Sequence, residues 1–474
     1  MDNSHGYDLL LVGVACCVII ERIAKFAPYT NLGDRRQVML IGFSVGNYKS
    51  FKETVTLSMV ASSITEEDKE LDENNVFPIN DKLSLLKSAA IYGANASGKS
   101  NLIAALNFMK WFVLNSSKET QISDAIDIEA FRLSTETEKE PSFFEIVFLL
   151  EEKSFRYGFE VNAREVISEW LFQADDSEEK MLFERDFDNY ILDDFPEGQG
   201  ISDKTRSNAL FLSVVAQFNG KISGKILLWF SKNLQLISGL QDTQYRKETL
   251  ESFENAGHRH DIIEFIKKLD LGILDVFDSK IHIPPGPAVF SISNNTAKYG
   301  GSYGSLYPNS ETKTTVYVHT VHPKYDADGK QTSKVIFDIE KHESEGTNKL
   351  FALAGILLDT LRTGKILLID ELDARLHPLI TRELICLFNS SETNPHNAQL
   401  IFTTHDTNLL SSKTFRRDQI WFTEKDNKSA TDLYSLVEYK VGKDASFERD
   451  YIMGKYGAIP FIGNFKELIG ELHE

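Results

Sequence analysis

The chain has 474 residues, 42% hydrophobic and 26% charged, with a formal net charge of −19. This is the composition of a globular protein of two or three structural units. Its acidity argues against broad, non-specific nucleic-acid binding, while leaving room for a local basic groove. Three cysteines, Cys16, Cys17 and Cys386, make neither a disulfide framework nor a zinc spacing, which fits a reducing, cytoplasmic location.

Residues 9–20 are an uninterrupted apolar run. The run is shorter than the roughly 20 residues a membrane helix needs, and Asp2, His5 and Asp8 precede it where a signal peptide would be basic. No membrane association is expected. Residues 1–38 read as a dispensable extension outside the folded core, with Met39 a natural start for that core. From Met39 the pattern is strand-like through Leu40, Ile41, Phe43 and Val45, then over residues 47–51 and 55–59. Residues 64–83 are polar and acidic and read as a surface loop.

Residues 89–92 are a short apolar run suited to a buried strand. Gly93, Ala94, Asn95, Ala96, Ser97, Gly98, Lys99 and Ser100 then spell G-x-x-x-x-G-K-S, and residues 99–114 carry a helical stripe of Leu102, Ile103, Leu106, Met109 and Val113. Strand, glycine-rich turn and helix make a P-loop. Its backbone N–H groups face one anion, Lys99 reaches the β- and γ-phosphates of a nucleotide, and the Ser100 hydroxyl faces Mg²⁺. ATP and Mg²⁺ are the expected ligands.

An antiparallel pair follows, over residues 143–150 and 154–161 with Glu151, Glu152 and Lys153 connecting them, and shorter strands cover 168–172 and 181–185. Residues 174–205 include an acidic, poorly patterned loop. Residues 208–274 read as helical. Pro284, Pro285 and Pro287 mark a boundary, residues 288–312 are rich in Ser, Asn, Gly and Tyr, and strands return at 316–318 and 334–339. The chain then alternates strand and helix. These patterns predict an α/β fold whose core sheet, mixed or parallel, draws on both ends of the chain. The expected divisions are 39–205 with the P-loop and an antiparallel β subdomain, a mainly helical insertion over 206–287, and 288–474.

Residues 366–369 are continuously apolar and end in Asp370 and Glu371, as a buried parallel strand presenting acids to a ligand crevice would. Asp370 is expected to hold Mg²⁺ through water, and Glu371 to orient and deprotonate the attacking water. Asp373 is placed to approach a second protomer, or to cap a helix beginning at Ala374. Residues 399–404 form another buried strand, and the His405 that follows it falls in the same crevice, suited to sensing a γ-phosphate. His258, His260, His319 and His322 have no ligand-like partners. Ser344 and Gly346, in Glu343-Ser-Glu-Gly-Thr-Asn348, open a helix over 349–361 as an anion site or a simple cap.

In this order the motifs resemble the ABC-type ATPases of the RecF and SMC clade, within the AAA family, and most of all the RloA and AbiL-type bacterial phage-defence ATPases. The resemblance rests on residues 42–51, 93–100, 343–347, 366–373, Leu376, His377, Pro378, Thr404, His405 and 451–460, and spans about 39–463. It implies an ABC-type P-loop head, with two protomers sandwiching two ATP molecules, each bound by one P-loop and facing Ser344 and Gly346 of the other chain. Lys49 would touch the nucleotide, or else be a solvated lysine. No glutamine loop is identified; Gln217 reads equally as a surface amide.

Two functions compete. One is an ATP-hydrolysing, dimeric or higher homo-oligomeric sensor in antiviral defence, acting with a separate effector protein, of which a Toprim-like nuclease is one form. The other is a DNA-repair or DNA-clamp ATPase, with DNA as partner. A nuclease within the chain would need a Toprim pattern after His405, and none is seen. A long SMC-type arm would need heptads that residues 208–274 do not sustain.

Overall fold

The computed structural model describes residues 38–66, 68–119, 121, 123–174, 179–269, 272–283, 313–411, 414–440 and 445–460. The apolar run at 9–20, the proline boundary at 284–287 and residues 288–312 lie outside these. In chain order come β1 (Val38–Gly46), β2 (Val55–Ser58), α1 (Lys69–Asn75), β3 (Val76–Pro78), β4 (Ser84–Leu86), β5 (Ser88–Gly93) and α2 (Lys99–Asn115). Then follow β6 (Ser142–Leu150), β7 (Lys153–Val161), β8 (Val166–Ala174), β9 (Glu179–Asp186), β10 (Asn189–Ile191), α3 (Phe211–Gln217), α4 (Lys221–Leu228) and β11 (Leu234–Ser238). Next are α5 (Thr243–Phe253), α6 (Ala256–Lys268), β12 (Asp275–Ile283), β13 (Lys313–Tyr325), β14 (Gln331–Asp338), α7 (Ile339–His342) and α8 (Glu345–Thr363). The chain closes with β15 (Ile366–Asp370), α9 (Pro378–Asn389), β16 (Gln399–Thr403), α10 (Asn408–Ser411), β17 (Ile420–Lys425), β18 (Thr431–Ser435) and α11 (Phe447–Ile452).

The core is a six-stranded sheet in the order β11-β15-β16-β5-β17-β18. Its first five strands are parallel and β18 pairs antiparallel with β17. Strands β5 and β16 are buried at every position, the signature of a parallel sheet covered on both faces. The N-terminal strand β5 lies between two C-terminal strands, so both ends of the chain build one sheet, as expected of the α/β P-loop head.

A second sheet, β10-β9-β8-β7-β6-β1-β2, is antiparallel throughout. Its inward residues, among them Phe43, Phe144, Phe148 and Phe159, share one hydrophobic cluster with Leu106, Met109 and Phe112 of α2 and with Ile91, Leu368 and Ile401 of the core sheet. Gln399 fastens β1 to the core: its side chain accepts the Leu40 N–H at 2.7 Å and donates to the Leu40 carbonyl at 3.0 Å and the Leu86 carbonyl at 3.2 Å.

Compactness separates a unit drawn from both ends, up to Asp242 and from Leu357, from a unit of Thr243–Ile356. The latter contains the sheet β12-β13-β14. Within it Thr249 donates to the Ala352 carbonyl at 2.6 Å and accepts the Gly355 N–H at 3.1 Å.

Several local expectations change. The stretch 206–287 holds the helices α3 to α6, but it is not helical throughout: β11 lies within it and pairs with β15 from Leu234↔Ile366 to Ser238↔Asp370. Five residues with Gln235 and Ser238 among them carry too little pattern to be separated from the helical text around them; pairing makes them a strand. Residues 69–75 are a helix, capped by the Asp68 carboxylate accepting the Glu70 N–H, and the β3–β4 hairpin follows. Residues 47–51 form a tight turn, with Asn47 at φ 45° and Lys49 at φ 48°, in place of a strand.

One buried charge organises the antiparallel half. Glu169 is fully buried on β8; it accepts the Phe211 and Leu212 N–H groups of α3 at 2.6 and 3.0 Å and the Tyr157 hydroxyl at 2.9 Å. Burial pushes its carboxyl up, opposed by Arg185, whose guanidinium is 3.8 Å away. Since α3 has no side-chain cap, Glu169 satisfies its first N–H groups. Glu169→Ala is expected to destabilise the protein by about 3–5 kcal/mol, because it leaves Arg185 buried without its anion. The midpoint of urea unfolding measures this.

Candidate functional site

The carboxyl ends of β5, β15 and β16, three adjacent strands, define the site. β5 runs into a loop, Ala94–Gly98, that opens the 17-residue helix α2. Its backbone is held from the far side of the sheet. Ser97 Oγ lies 2.6 Å from Thr423 Oγ1 of β17, and Thr431 Oγ1 of β18 donates to the Ser97 carbonyl at 2.8 Å. Gly98, at φ +117°, has no room for a side chain, since a Cβ there would fall 2.5 Å from Thr431. Ala96 is also left-handed, at φ 63°, and Asn95 and Ala96 are exposed.

Lys99 is buried. Its ammonium donates to the Gly93 carbonyl at 2.8 Å and the Ala94 carbonyl at 3.0 Å. Burial lowers its pKa, opposed by the charges of Asp370, Glu371 and Asp373. Ser100 Oγ donates to Asp370 Oδ1 at 3.2 Å. The same Asp370 oxygen accepts Thr403 Oγ1 at 2.7 Å, and the Thr403 hydroxyl accepts the Glu371 N–H at 2.7 Å.

Asp373 stands in a series of turns, not at a helix start. α9 begins at Pro378 and its cap is His377, whose side chain accepts the Leu379 N–H. Proline at the first helical position and a side-chain acceptor before it explain why the helix starts there and not at Ala374. Asp373 Oδ2 accepts the His405 N–H at 3.3 Å, while its Oδ1 is buried without a hydrogen-bond partner. His405 therefore follows β16 into the same crevice. Its pKa is lowered by the desolvation of its surroundings and by Lys99, against the pull of Asp373, Glu371 and Asp370, so the neutral imidazole prevails at pH 7. Beneath the crevice Tyr92 donates to the Asp406 carbonyl at 3.3 Å, and burial pushes its phenol well up.

Lys49 sits on the Tyr48–Phe51 turn, its ammonium 5.7 Å from the Tyr48 ring centroid, and its N–H donates to the Glu129 carbonyl at 2.7 Å. The next residue, Ser50, ties that turn to the P-loop side: Asn101 donates to Ser50 Oγ at 2.7 Å and the Thr431 N–H to the Ser50 carbonyl at 2.7 Å. Ser344 and Gly346 belong to the Thr243–Ile356 unit. Ser344 Oγ accepts the Thr347 N–H at 3.1 Å, so it caps α8 and is exposed. Gln217 is an exposed residue ending α3.

Sequence reasoning passed over Thr403, Thr423, Thr431, Ser50 and Gly239, which support the site from behind. Only Thr403 left a trace, as the polar residue that closes the apolar run 400–402, two residues before His405.

Ser100 and Asp370 suit a magnesium ion. Ser100 offers a hydroxyl oxygen, and Asp370, 3.2 Å from it, a carboxylate able to hold a magnesium-bound water. Among the described residues no three His, Cys, Asp or Glu form a metal cage. Among the described residues no helix is long and apolar enough to cross a membrane.

A P-loop on one parallel strand, with an acidic pair ending the next strand but one, defines a P-loop NTPase head of α/β class. A family model described as "AAA domain, putative AbiEii toxin, Type IV TA system" matches residues 88–411. The match covers more than half of the chain, and the chain belongs to that family. No curated protein matches it. Among solved structures it is similar to an SMC head bound to the C-winged helix domain of ScpA, at 14% identity over 86% of this chain and 99% of that one, TM-score 0.41. It is similar to the SMC head domain from Thermotoga maritima at 12% identity over 85% and 99%, TM-score 0.37. It is also similar to the recombination mediator RecF with ATP at 14% identity over 85% and 100%, TM-score 0.33.

Lys99→Ala removes a charge-assisted donor worth ~1.5–3 kcal/mol to a phosphate. Nucleotide affinity is expected to fall by about 10–100-fold, with the fold intact by circular dichroism. Titration of a fluorescent ATP analogue checks this.

Proposed function

We propose that this chain binds ATP with magnesium at the P-loop and hydrolyses it to ADP and phosphate. The observation that carries the reading is the 3.2 Å contact between Ser100 of the P-loop and Asp370 of β15, with Glu371 next in the chain. The loop N–H groups and the N-terminus of α2 cradle the phosphates, and Lys99 moves its protons from the loop carbonyls to the β- and γ-phosphate oxygens. Magnesium, held by Ser100 and Asp370, neutralises phosphate charge when bound. Glu371 takes the proton of the attacking water. His405 donates a hydrogen bond toward the γ-phosphate, and Asp373 accepts its backbone N–H and so fixes the turn that carries it.

Ser344 caps an exposed end of the 19-residue helix α8. N–H groups and a hydroxyl at a helix start suit an anion, which supports a composite site in which Ser344 and Gly346 of a second copy meet the γ-phosphate, while Asp373 approaches that copy. Lys49 is assigned to the nucleotide's edge. ATP would favour the closed dimer, or a higher homo-oligomer, and hydrolysis would release it.

The biological reading is a nucleotide-gated regulator in bacterial antiviral defence, acting in the cytoplasm with a separate effector protein. Its support is the family description, which names a toxin of a toxin–antitoxin system, together with the motif order.

Glu371→Gln should bind ATP normally, lower turnover by about 10²–10⁴-fold and accumulate a dimer in ATP, read by light scattering. Ser344→Arg in that background should return the protein to monomer. Wild-type turnover in Glu371→Gln removes the base assignment; a dimer that persists with Ser344→Arg removes the composite site. In cells challenged with phage, Lys99→Ala should abolish protection, and undiminished plaque reduction removes ATP from the defence reading.

A further inference from the structure

Glu371 holds a left-handed backbone, φ 58°, which side chains with a Cβ rarely adopt. Something must hold it there, and the Asp370–Glu371 peptide is gripped at both its N–H and its carbonyl. On the amino side, the Glu371 N–H donates to Thr403 Oγ1 at 2.7 Å. At the other edge of that same peptide, Gly239, which follows β11, donates its N–H to the Asp370 carbonyl at 2.6 Å, while on the carboxyl side the Glu371 carbonyl accepts the Ala374 N–H at 3.2 Å and lies against Gly239, which has no room for a side chain. A Cβ on Gly239 would lie 2.0 Å from the Glu371 carbonyl oxygen.

The direction of each bond is settled by chemistry. An N–H can only donate and an ionised carboxylate can only accept, so the single Thr403 proton goes to Asp370 Oδ1, at 2.7 Å, and its lone pair to Glu371. One buried hydroxyl thus links the two acids. Asp370 Oδ1 also accepts Ser100 Oγ, which extends the link to the P-loop.

We infer that Thr403 and Gly239 are positioning residues for hydrolysis: they lock the Glu371 backbone in its left-handed turn and so aim its carboxylate at the attacking water. The inference rests on the ATPase reading above. Neither is among the residues proposed to touch the nucleotide, and Thr403 reaches it only through Asp370, so affinity should change less than the chemical step. They act on the chemical step through Glu371, as outer partners act on a ligand they orient.

Three variants and a control test this. Thr403→Val keeps the shape and removes the hydroxyl, Thr403→Ser keeps the hydroxyl, and Gly239→Ala forces the carbonyl of Glu371 to move. Measured are kcat, KM and the Kd for magnesium ATP by calorimetry. Thr403→Val should lower kcat by about 10–100-fold with KM and Kd within about threefold, Thr403→Ser should recover most of it, and Gly239→Ala should resemble Thr403→Val. In the Glu371→Gln background Thr403→Val should add no further loss, because the group it positions is already disabled. A Thr403→Val enzyme with unchanged kcat, beside an inactive Glu371→Gln, overturns the inference and leaves the ATPase reading standing. Equal loss of kcat and affinity without serine rescue also overturns it, since that marks a merely structural role. Wild-type turnover in Glu371→Gln overturns the base assignment and the inference with it. Should Gly239→Ala fail to fold, the valine and serine pair decides.

Discussion

The site depends on one constraint: β5, β16 and β15 must end level. Parallel pairing sets this. Ile369 lies opposite Phe402, and Thr403 opposite Ile91, so Asp370 and Thr403 emerge side by side and the P-loop begins two residues beyond Ile91. A slip by one residue would move every side chain of β15 to the opposite face. It would also carry Asp370 away from Thr403 and Ser100. Such a slip is opposed by burial, because β15 is buried from Ile366 through Ile369 and β16 throughout. The strands' hydrophobicity is therefore what aligns the hydroxyls and carboxylates at their ends.

The rest of the first unit can be understood as support for that alignment. α2 carries Lys99 and Ser100 at its start, and its buried side chains pack into the cluster shared by both sheets. A helix gripped along Leu102, Leu106, Met109 and Phe112 cannot rotate its first turn independently. On the other flank β17 and β18 contribute Thr423 and Thr431, which hold Ser97 and crowd Gly98. The loop is thus fixed by its own helix on one side and by two threonines on the other, the preorganised backbone that anion binding requires.

What was legible in the sequence followed from how local the signal was. The P-loop, β15 and β16 are each a contiguous pattern with a period or a fixed spacing, and β6 and β7 announce themselves by alternation. β11 does not, since its identity comes from a neighbour some 130 residues later in the chain. The helix start after Asp373 was misplaced because Asp and Ala form a plausible cap and first turn, whereas His377 and Pro378 satisfy the same demand with better geometry. Gly239, Thr423 and Thr431 were invisible, and Thr403 nearly so, for a physical reason. Each matters through a distance to a residue remote in sequence, and a threonine or glycine carries no mark of which remote atom it will meet.

The charge balance gives these contacts their direction. Asp370, Glu371 and Asp373 crowd one crevice beside a single lysine, on a chain already at −19. A triphosphate approaching them is repelled, and at separations of about 4 Å in a partly buried site each like-charge pair costs several kcal/mol. Two features offset this. The Asp370 oxygen nearest the loop is already engaged by two hydroxyl donors, Ser100 and Thr403, which spread its charge toward the place where a divalent cation brings acid and phosphate together. Glu371 has its backbone turned left-handed at the strand's end, which takes its side chain out of the run of β15. In the proposed ATPase reading it would then serve the water and not the metal. On the proposed reading, two adjacent acids would acquire two roles through one turn of the backbone, with the Thr403 hydroxyl bonded both to the Asp370 carboxylate and to the Glu371 N–H.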